Sequence, residues 1–236
     1  MSFEKTNELD TKPIVDEIEN AVCKELKPFG FRKHGRTLHR FVDGDISQVI
    51  NFQNGCPEKF IYNVLYVNVG IRVPECELRT FAPEEALKKY YPAYDCNLRC
   101  DLTDSEDQKK DYFDLHHPIQ EIVNDIICKI KDCVIPAFNT LNSRLDILEN
   151  QKNANGLSRQ LTNLEKAMVF GRMGDMKKAE LFFNQYYDEN AQIYKAHEGW
   201  KSYGYLKSHL DYIEELAEQL NIKIKLLHKN NEIKPV

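Results

Sequence analysis

Apolar residues recur with two different periods along this chain, and the change of period divides it into regions. Between Thr11 and Leu26 the apolar positions lie three or four residues apart, which is the spacing of one buried helix face. Pro13 suits the first turn, because its missing N–H is not needed there, and Pro28 and Gly30 suit the end. We therefore predict a helix over this segment.

After this helix the period becomes two, which predicts strands. Asp43 and Gly44 form a hairpin turn signal between the first two runs, and Pro74 ends the third run. Residues Cys96–Leu102 suit a fourth strand. We expect a small antiparallel sheet of three to four strands. Its three principal runs are Arg36–Val42, Asp45–Gln53 and Phe60–Val73.

Helical spacing returns at Pro118 and continues almost to the end of the chain. Pro136 should kink or divide the first of these helices near Val134. The polar segment Asn150–Gly156 is the expected linker. The predicted fold class is α+β: a small antiparallel sheet packed with helices, followed by an all-helical C-terminal half. We predict an α+β domain at residues 1–149 and a helical subdomain at residues 157–236.

The helical subdomain carries a hairpin signal around Gly174. Small and aromatic residues between Ala167 and Phe183 have the spacing of a tetratricopeptide repeat. No second copy follows, and a lone repeat cannot stack into a solenoid, so an ordinary helix hairpin is the simpler interpretation. Farther on, Ile222, Ile224 and Leu226 alternate with lysines and predict a short final strand.

Composition indicates a globular protein, since 42% of the 236 residues are hydrophobic and 29% are charged. The net charge of −5 is mild and gives no reason to expect nucleic acid or an anionic membrane as partner. No apolar run approaches the ~20 residues of a membrane span, and the N-terminus does not resemble a secretory signal. Seven scattered cysteines are typical of reduced thiols, so we expect a cytoplasmic protein.

Alternation places four polar side chains on one face of the predicted sheet: Asn51, Gln53, Asn68 and Arg72. If helices cover the aliphatic face, these amides and this guanidinium form a surface suited to a peptide or another polar ligand. A solvated sheet face, or amides bonded to the protein's own loops, explains the pattern equally simply, because one-sided sheets are common. We predict a binding face here and keep that alternative open.

Basic residues gather before and within the first strand: Arg32, Lys33, Arg36 and Arg40. In an acidic protein this is a local positive patch, which could meet a phosphate backbone or an acidic protein. A solvated rim of loop and strand explains it as well. Nucleic acid is therefore an unlikely partner on sequence grounds.

Catalytic and metal-binding motifs are not found in the sequence. It has no glycine-rich phosphate loop, no nucleophile elbow and no metalloprotease helix pair. Cys128 and Cys133 are close in sequence, but residues five apart on an α-helix point in different directions, which argues against a shared zinc ion. We predict no catalytic residue, no metal site and no cofactor. A site assembled in three dimensions remains compatible with the sequence.

Several segments together resemble a known bacterial family. Leu26–Thr37 carries a leucine, a glycine-phenylalanine pair, basic residues, a glycine and a threonine where a helix runs into a strand. Val49–Gln53 and Tyr66–Ile71 are similar to the family's second and third strands, and Leu98–Leu102 to part of a later segment. Over roughly residues 14–135 the chain resembles the family catalogued as domain of unknown function 4304.

The resemblance implies a small bacterial cytosolic protein without an established activity, so it transfers no catalytic residue. Some members resemble immunity proteins that neutralise toxins, which is an analogy of size and architecture. The leading hypothesis is a non-catalytic binding protein whose partner is another protein, with a toxin as one candidate. The polar face and the acidic segment Asp101–Asp114 motivate it. The alternatives are an enzyme whose site is invisible in sequence and an adaptor that uses the helix hairpin.

Overall fold

The computed structural model forms two compact units, which we describe separately. Unit 1 comprises residues 1–73 and 88–160, and unit 2 comprises residues 74–87 and 161–236. The short helix after the third long strand therefore packs in unit 2, although it lies within the first domain expected from sequence. The structure describes residues 9–55, 63–82, 90, 93–102, 112–151, 160–197 and 203–225. Most of the predicted linker and of the acidic segment lies outside these residues.

Helix α1 spans Thr11–Leu26, as the apolar spacing predicts. Val15, Ile18 and Val22 are fully buried along one face because they recur at helical spacing. A single 3₁₀ turn follows, and Gly30 ends it at φ +91°, a conformation that favours glycine.

The sheet of unit 1 contains six strands among the described residues, all in antiparallel pairs, in the order β1-β2-β3-β4-β5 with β6 also paired to β4. The expectation of three to four strands is wrong in number because β1 and β6 are too short to show an alternation. The strands are β1 (Arg32–His34), β2 (Thr37–Val42), β3 (Ile46–Asn54), β4 (Val64–Arg72), β5 (Leu98–Leu102) and β6 (Phe113–Asp114).

The hairpin between β2 and β3 turns at the predicted place. Asp43 and Gly44 have φ values of +47° and +83°, which an aspartate tolerates and a glycine adopts freely. The turn is tied to a later helix, because Arg144 Nη1 lies 3.1 Å from Asp43 Oδ2 and Arg144 Nη2 lies 2.6 Å from Asp45 Oδ1.

One face of the sheet is apolar and packs under helices. Ile50 pairs with Val69 and Phe52 with Val67, and all four side chains are buried. Helix α1 packs on β3 and on a helix that spans Ile119–Lys129. The buried Gln48 side chain donates from Nε2 to the Phe138 carbonyl at 2.8 Å, which fastens a later helical turn to the sheet.

The helical run after Pro118 changes character where Pro136 predicts a kink or division. Ile135 N–H donates to the Ile130 carbonyl, five residues back, so a π-helical turn at Ile130–Val134 separates two α-helices. Pro136 has no N–H and disfavours a regular turn before it, which accounts for the break. The elements of this region are α3 (Ile119–Lys129), α4 (Ile135–Asn139) and α5 (Arg144–Asn150), and α2 (Pro74–Leu78) precedes them in the chain.

Unit 2 contains α2, α6 (Asn163–Arg172), α7 (Met176–Ala196) and α8 (Tyr203–Gln219). Thr162 and Glu165 form a reciprocal capping box at the start of α6. Gly174, at φ +82°, turns the chain into α7, so the predicted helix hairpin is present. Ala167, Ala179 and Phe183 are fully buried in this unit.

Residues 222–225 belong to no helix and no strand, so the prediction of a final strand is wrong for this segment. Leu226 lies outside the described residues. The segment is held by a side chain: Asn184 Nδ2 donates to the Lys223 carbonyl at 3.1 Å, and Asn184 Oδ1 accepts from Lys225 N–H. Alternation alone cannot distinguish a strand from a segment without regular structure that lies along helices.

Candidate binding face on the sheet

The side chains opposite the helices form what we call the outer face of the sheet. Strand register sets its membership, since directly paired residues of antiparallel strands point to the same side. Asn51 pairs with Asn68, Gln53 with Tyr66, and Asn68 with Asp101. The described members are Arg32, His34, Thr37, His39, Phe41, Ser47, Val49, Asn51, Gln53, Val64, Tyr66, Asn68, Gly70, Arg72, Arg99, Asp101 and Asp114.

Part of the outer face is covered by the chain that leads into β5. Ala93 and Cys96 form a buried cluster with Val49 of β3. Gly70 of β4 allows this close approach, because a Cβ at that position would lie 2.5 Å from Cys96 Cβ. Asn97 fastens the same segment, as its N–H donates to the Ile71 carbonyl at 3.0 Å. The chain's own residues therefore cover the outer face at this point.

Arg72 is the one predicted face residue that the structure removes from the surface. Its side chain is only 1% exposed, so its guanidinium is not displayed with the amides. Alternation fixes the side of the strand on which a residue lies, but it does not tell what covers that side. This end of β4 is buried on both faces, as Ile71 and Arg72 together show.

Asn51 lies on the outer face, but its side chain is hydrogen-bonded within the protein. Its Nδ2 donates to Thr37 Oγ1 at 2.8 Å and to the Arg36 carbonyl at 3.3 Å. Both donors of the amide are therefore used between β2 and β3. The alternative of amides bonded within the protein describes Asn51 well.

The uncovered part of the outer face holds a pocket of about 390 Å³, which we call the sheet pocket. Gln53 and Asn68 form its floor, where Asn68 Nδ2 donates to Gln53 Oε1 at 3.3 Å. The described residues that line it are Gln53, Asn68, Ala93, Tyr94, Arg99, Cys100 and Asp101.

The rim of the sheet pocket presents a tyrosine and an arginine. Tyr94 is 72% exposed although its ring is large and apolar, and Arg99 Nη1 donates to the Tyr94 carbonyl at 3.4 Å. Arg99 and Asp101 are both exposed and stand two positions apart on the same side of β5. Amide, guanidinium, carboxylate and phenol groups thus converge around one cavity.

Cys100 pairs with Val69, so its thiol lies on the apolar side of β5, opposite to Arg99 and Asp101. Burial, and then the negative charge of Asp101, raises the pKa of this thiol to about 12. The thiol therefore stays protonated near neutral pH and does not supply a thiolate nucleophile. The side chains on the pocket side of these strands are amides and charged groups, which can donate and accept hydrogen bonds.

The predicted basic patch is largely neutralised by α1. Glu19 is 2% exposed and accepts from Lys33 Nζ at 3.0 Å and from Arg36 Nη1 at 2.9 Å. Arg36 Nη2 also lies 3.2 Å from Asp16 Oδ1. These basic side chains join the helix to the sheet, so the charges of Lys33 and Arg36 are partly offset within the protein.

The other two members of the basic patch contact apolar rings or backbone. Arg40 Cζ lies 5.2 Å from the centroid of the Phe31 ring. Its Nε donates to Gln48 Oε1 at 2.6 Å. Burial lowers the pKa of Arg40. Arg32 Nη1 donates to the Phe31 carbonyl at 3.1 Å.

His39 is buried in the covered part of the outer face. Its Nδ1 lies 3.2 Å from Ser47 Oγ, and its ring is near those of Phe41 and Tyr90. Burial, and then the charge of His34, lowers the pKa of His39 to about 4. Within the part of the chain that the structure describes, no carboxylate hydrogen-bonds to this ring.

His116 does meet a carboxylate, in an exposed turn. Its Nδ1 lies 2.6 Å from Asp114 Oδ1, which also accepts from His116 N–H at 2.9 Å. Burial raises the pKa of Asp114, but the hydrogen bonds from His116 offset this and lower it overall. A short turn in which one residue caps another accounts for this pair.

Metal-binding groups do not converge in the described part of the chain, where no three His, Cys, Asp or Glu side chains gather around a common point. Cys128 instead donates from Sγ to Asp132 Oδ2 at 3.0 Å. None of the described helices is both long and apolar enough to cross a membrane.

Tyr94 and Arg99 lie at the rim of the pocket, yet the sequence pattern does not single them out. Tyr94 lies in a 3₁₀ turn with no periodic pattern, and Arg99 lies in a strand of only five residues. Alternation in β5 puts Arg99 and Asp101 on one side of the strand, and this was the only sequence feature that could have pointed to Arg99. Nothing in the sequence shows that this tyrosine is exposed.

One comparison with known proteins gives a match. The family described as a domain of unknown function (DUF4304) matches residues 22–140. This range includes the described residues that line the sheet pocket and the six described strands. No curated protein and no solved structure gives a significant match.

Proposed function

The chain belongs to the DUF4304 family, a domain of unknown function, and we propose that it is a non-catalytic binding protein that recognises another protein at the sheet pocket. The carrying observation is Tyr94, which is 72% exposed at the rim of a polar cavity. Tyrosine and arginine are the residues most enriched at the energetic centres of protein interfaces, and Arg99 lies beside Tyr94. A two-residue anchor of this kind suits a protein partner.

The lining of the pocket supports a protein partner over a small molecule. Sites for small molecules are lined mostly by apolar and aromatic side chains with few polar groups. Here Gln53, Asn68, Arg99 and Asp101 dominate the described lining. Such groups suit the main chain and polar side chains of a peptide segment.

We also propose that this chain is a bacterial cytoplasmic protein and that it needs no cofactor. The family resemblance and the scattered cysteines support that location. A toxin neutralised by this chain is one candidate partner, by analogy with immunity proteins of similar size.

An enzyme is the second candidate, with His39 and His116 as its candidate acid-base groups. His39 contacts a hydroxyl and is buried, and His116 contacts Asp114 in an exposed turn. Neither lines the sheet pocket among the described residues. An adaptor that uses the α6–α7 hairpin is the third candidate, and Ala167, Ala179 and Phe183 of this hairpin are buried within unit 2.

Capture from an extract of the source organism tests the proposal. The bait is the full chain, compared with a Tyr94→Ala and Arg99→Ala double variant. We expect the double variant to retain less than about a tenth of the captured partner, because truncating central interface tyrosines and arginines each costs about 2 kcal/mol or more. Quantitative mass spectrometry of the bound fraction gives the measurement.

The matched control is Tyr205→Ala, which removes a tyrosine that is 76% exposed in unit 2. Its bound fraction should equal that of the unchanged chain. Equal capture by all three baits would rule out the sheet pocket as the recognition surface.

A further inference from the structure

An arginine, two tyrosines and a histidine of unit 2 gather at its surface, where the end of α2 meets α7 and α8. Tyr186 Oη of α7 lies 3.3 Å from His209 Nε2 of α8, and the His209 and Tyr212 rings stack with their centroids 6.5 Å apart. Arg79, directly after α2, places Cζ 5.0 Å from the centroid of the Tyr212 ring. We call Arg79, Tyr186, His209 and Tyr212 the arginine–tyrosine cluster.

The backbone on both sides of Arg79 is anchored to α6. Before it, Cys76 Sγ donates to the Glu165 carbonyl at 3.4 Å. After it, Phe81 packs so closely on Gly171 that a side chain at this glycine would overlap the Phe81 ring. The guanidinium is therefore presented from an anchored segment.

Arg79 has an unusual backbone conformation for its residue type, with φ at +51°. The residue after a helix often adopts the left-handed conformation, but glycine or asparagine is usual there. The other described non-glycine residues with positive φ are all aspartate or asparagine: Asp43, Asn63 and Asn221. The backbone at this position thus favours glycine, and arginine supplies a charged side chain there at a conformational cost.

The charge of Arg79 is not neutralised by a carboxylate. Within the part of the chain that the structure describes, its exposed guanidinium forms no ion pair and donates no hydrogen bond, and its contact is the face of the Tyr212 ring. Burial raises the pKa of Tyr186, and the positive charge of Arg79 opposes this rise. The charge therefore acts on the same hydroxyl that His209 contacts.

We propose that the arginine–tyrosine cluster binds the phosphate group of a small molecule. A guanidinium fork matches two oxygens of a phosphate, and a phenol hydroxyl and an imidazole N–H donate to further oxygens. A carboxylate has only two oxygens, so donors of three kinds from separate elements suit a phosphate better. This inference concerns unit 2 and does not rest on the sheet pocket.

Calorimetric titration of the full chain with phenyl phosphate, inorganic phosphate and benzoate tests the proposal. We expect both phosphates to bind, and we expect no measurable binding of benzoate, which pairs a carboxylate with the same aryl group. Tighter binding of phenyl phosphate than of inorganic phosphate would assign the site to a phosphate ester. Equal affinities for the two would assign it to free phosphate.

Two variants make the test specific to the cluster. Arg79→Gly should weaken phosphate binding at least about tenfold, because a charged hydrogen-bonding group is lost. The same variant should unfold at no lower temperature than the unchanged chain, since glycine suits a positive φ. Tyr186→Phe keeps the ring and removes the hydroxyl, so we expect about fivefold weaker binding.

The matched control is Lys177→Gln, which removes an exposed positive charge of the same unit and should leave the affinity unchanged. The proposal fails if the unchanged chain shows no saturable phosphate binding by calorimetry or by phosphorus NMR of the ligand. It also fails if benzoate binds as tightly as phenyl phosphate. Equal affinities of the Arg79→Gly and Lys177→Gln chains would place the phosphate elsewhere and overturn it as well.

Discussion

At the scale of single residues, the charges next to the sheet are used within the protein. Glu19 is buried on α1 and is paired with Lys33 and Arg36, which sequence reasoning treated as an open basic patch. A buried carboxylate keeps its charge only when partners offset its desolvation. The pairing could not be predicted, because the sequence does not give the position of α1 relative to β1.

Replacing Glu19 by glutamine removes the charge but keeps the shape. We expect Glu19→Gln to lower the free energy of unfolding by about 1–2 kcal/mol, less than a fully buried pair because Lys33 and Arg36 are partly exposed. Urea unfolding gives the measurement. The control is Glu17→Gln on the exposed side of the same helix, with an expected change within about 0.5 kcal/mol. Equal midpoints for both variants would contradict the role of Glu19.

His39 gives the fold a pH dependence of defined sign. Its pKa is about 4 in the folded chain and about 6.5 when unfolded, so between these values only the unfolded chain binds the proton. Stability should therefore fall as pH drops from about 6.5 to 4, by about 3 kcal/mol at most.

The His39→Gln variant isolates this contribution, because the other titrating groups are common to both chains. We expect the unchanged chain to lose more stability than the variant between pH 7 and about pH 4.5 in urea unfolding. Parallel stability curves over that range would show that His39 does not remain neutral in the fold.

At the scale of elements, the sequence predicts what local chemistry decides. The Asp43 and Gly44 turn, the end of β4 before Pro74 and the break near Pro136 follow from backbone preferences of single residues. The coverage of the outer face does not follow from them. Ala93 and Cys96 carry no signal of their destination, so the burial of that part depends on tertiary packing alone.

Gly70 tests that packing directly. A methyl group there would lie 2.5 Å from Cys96 Cβ, so the covering segment or β4 must move. We expect Gly70→Ala to lower the free energy of unfolding by about 1–3 kcal/mol. Urea unfolding gives the measurement, with the free energies of the variant and the unchanged chain fitted with the same m-value.

Gly204 is the matched control, since it lies in α8 and an added methyl group would meet no described atom within 4 Å apart from its chain neighbours and its own helix backbone. Gly204→Ala should raise the free energy of unfolding by about 0.5–1 kcal/mol, because alanine has the higher helix propensity. If Gly70→Ala left the free energy of unfolding unchanged, the segment at Ala93 and Cys96 would not be closely packed on β4.

At the scale of the whole molecule, the two units carry different kinds of surface. The family match covers the sheet of unit 1, where half-covered strands leave the sheet pocket open. Unit 2 is helical and holds its own segment after α8 at Asn184. Sequence periodicity predicts a sheet-containing part followed by a helical part, but it does not predict that α2 packs in unit 2. It cannot predict that Tyr94 and Arg99 would stand at one rim, because their elements are distant from Gln53 along the chain.

Site-specific photocrosslinking from the rim of the pocket tests the central claim most directly. A photoreactive phenylalanine analogue replaces Tyr94 in one full-length chain and Tyr205 in another, and both are irradiated in cells of the source organism. We predict one discrete protein adduct from position 94, none from position 205, and loss of the first when Gln53→Ala and Asn68→Ala are added. No adduct at position 94, or the same adducts from both positions, would contradict recognition of a protein at the sheet pocket.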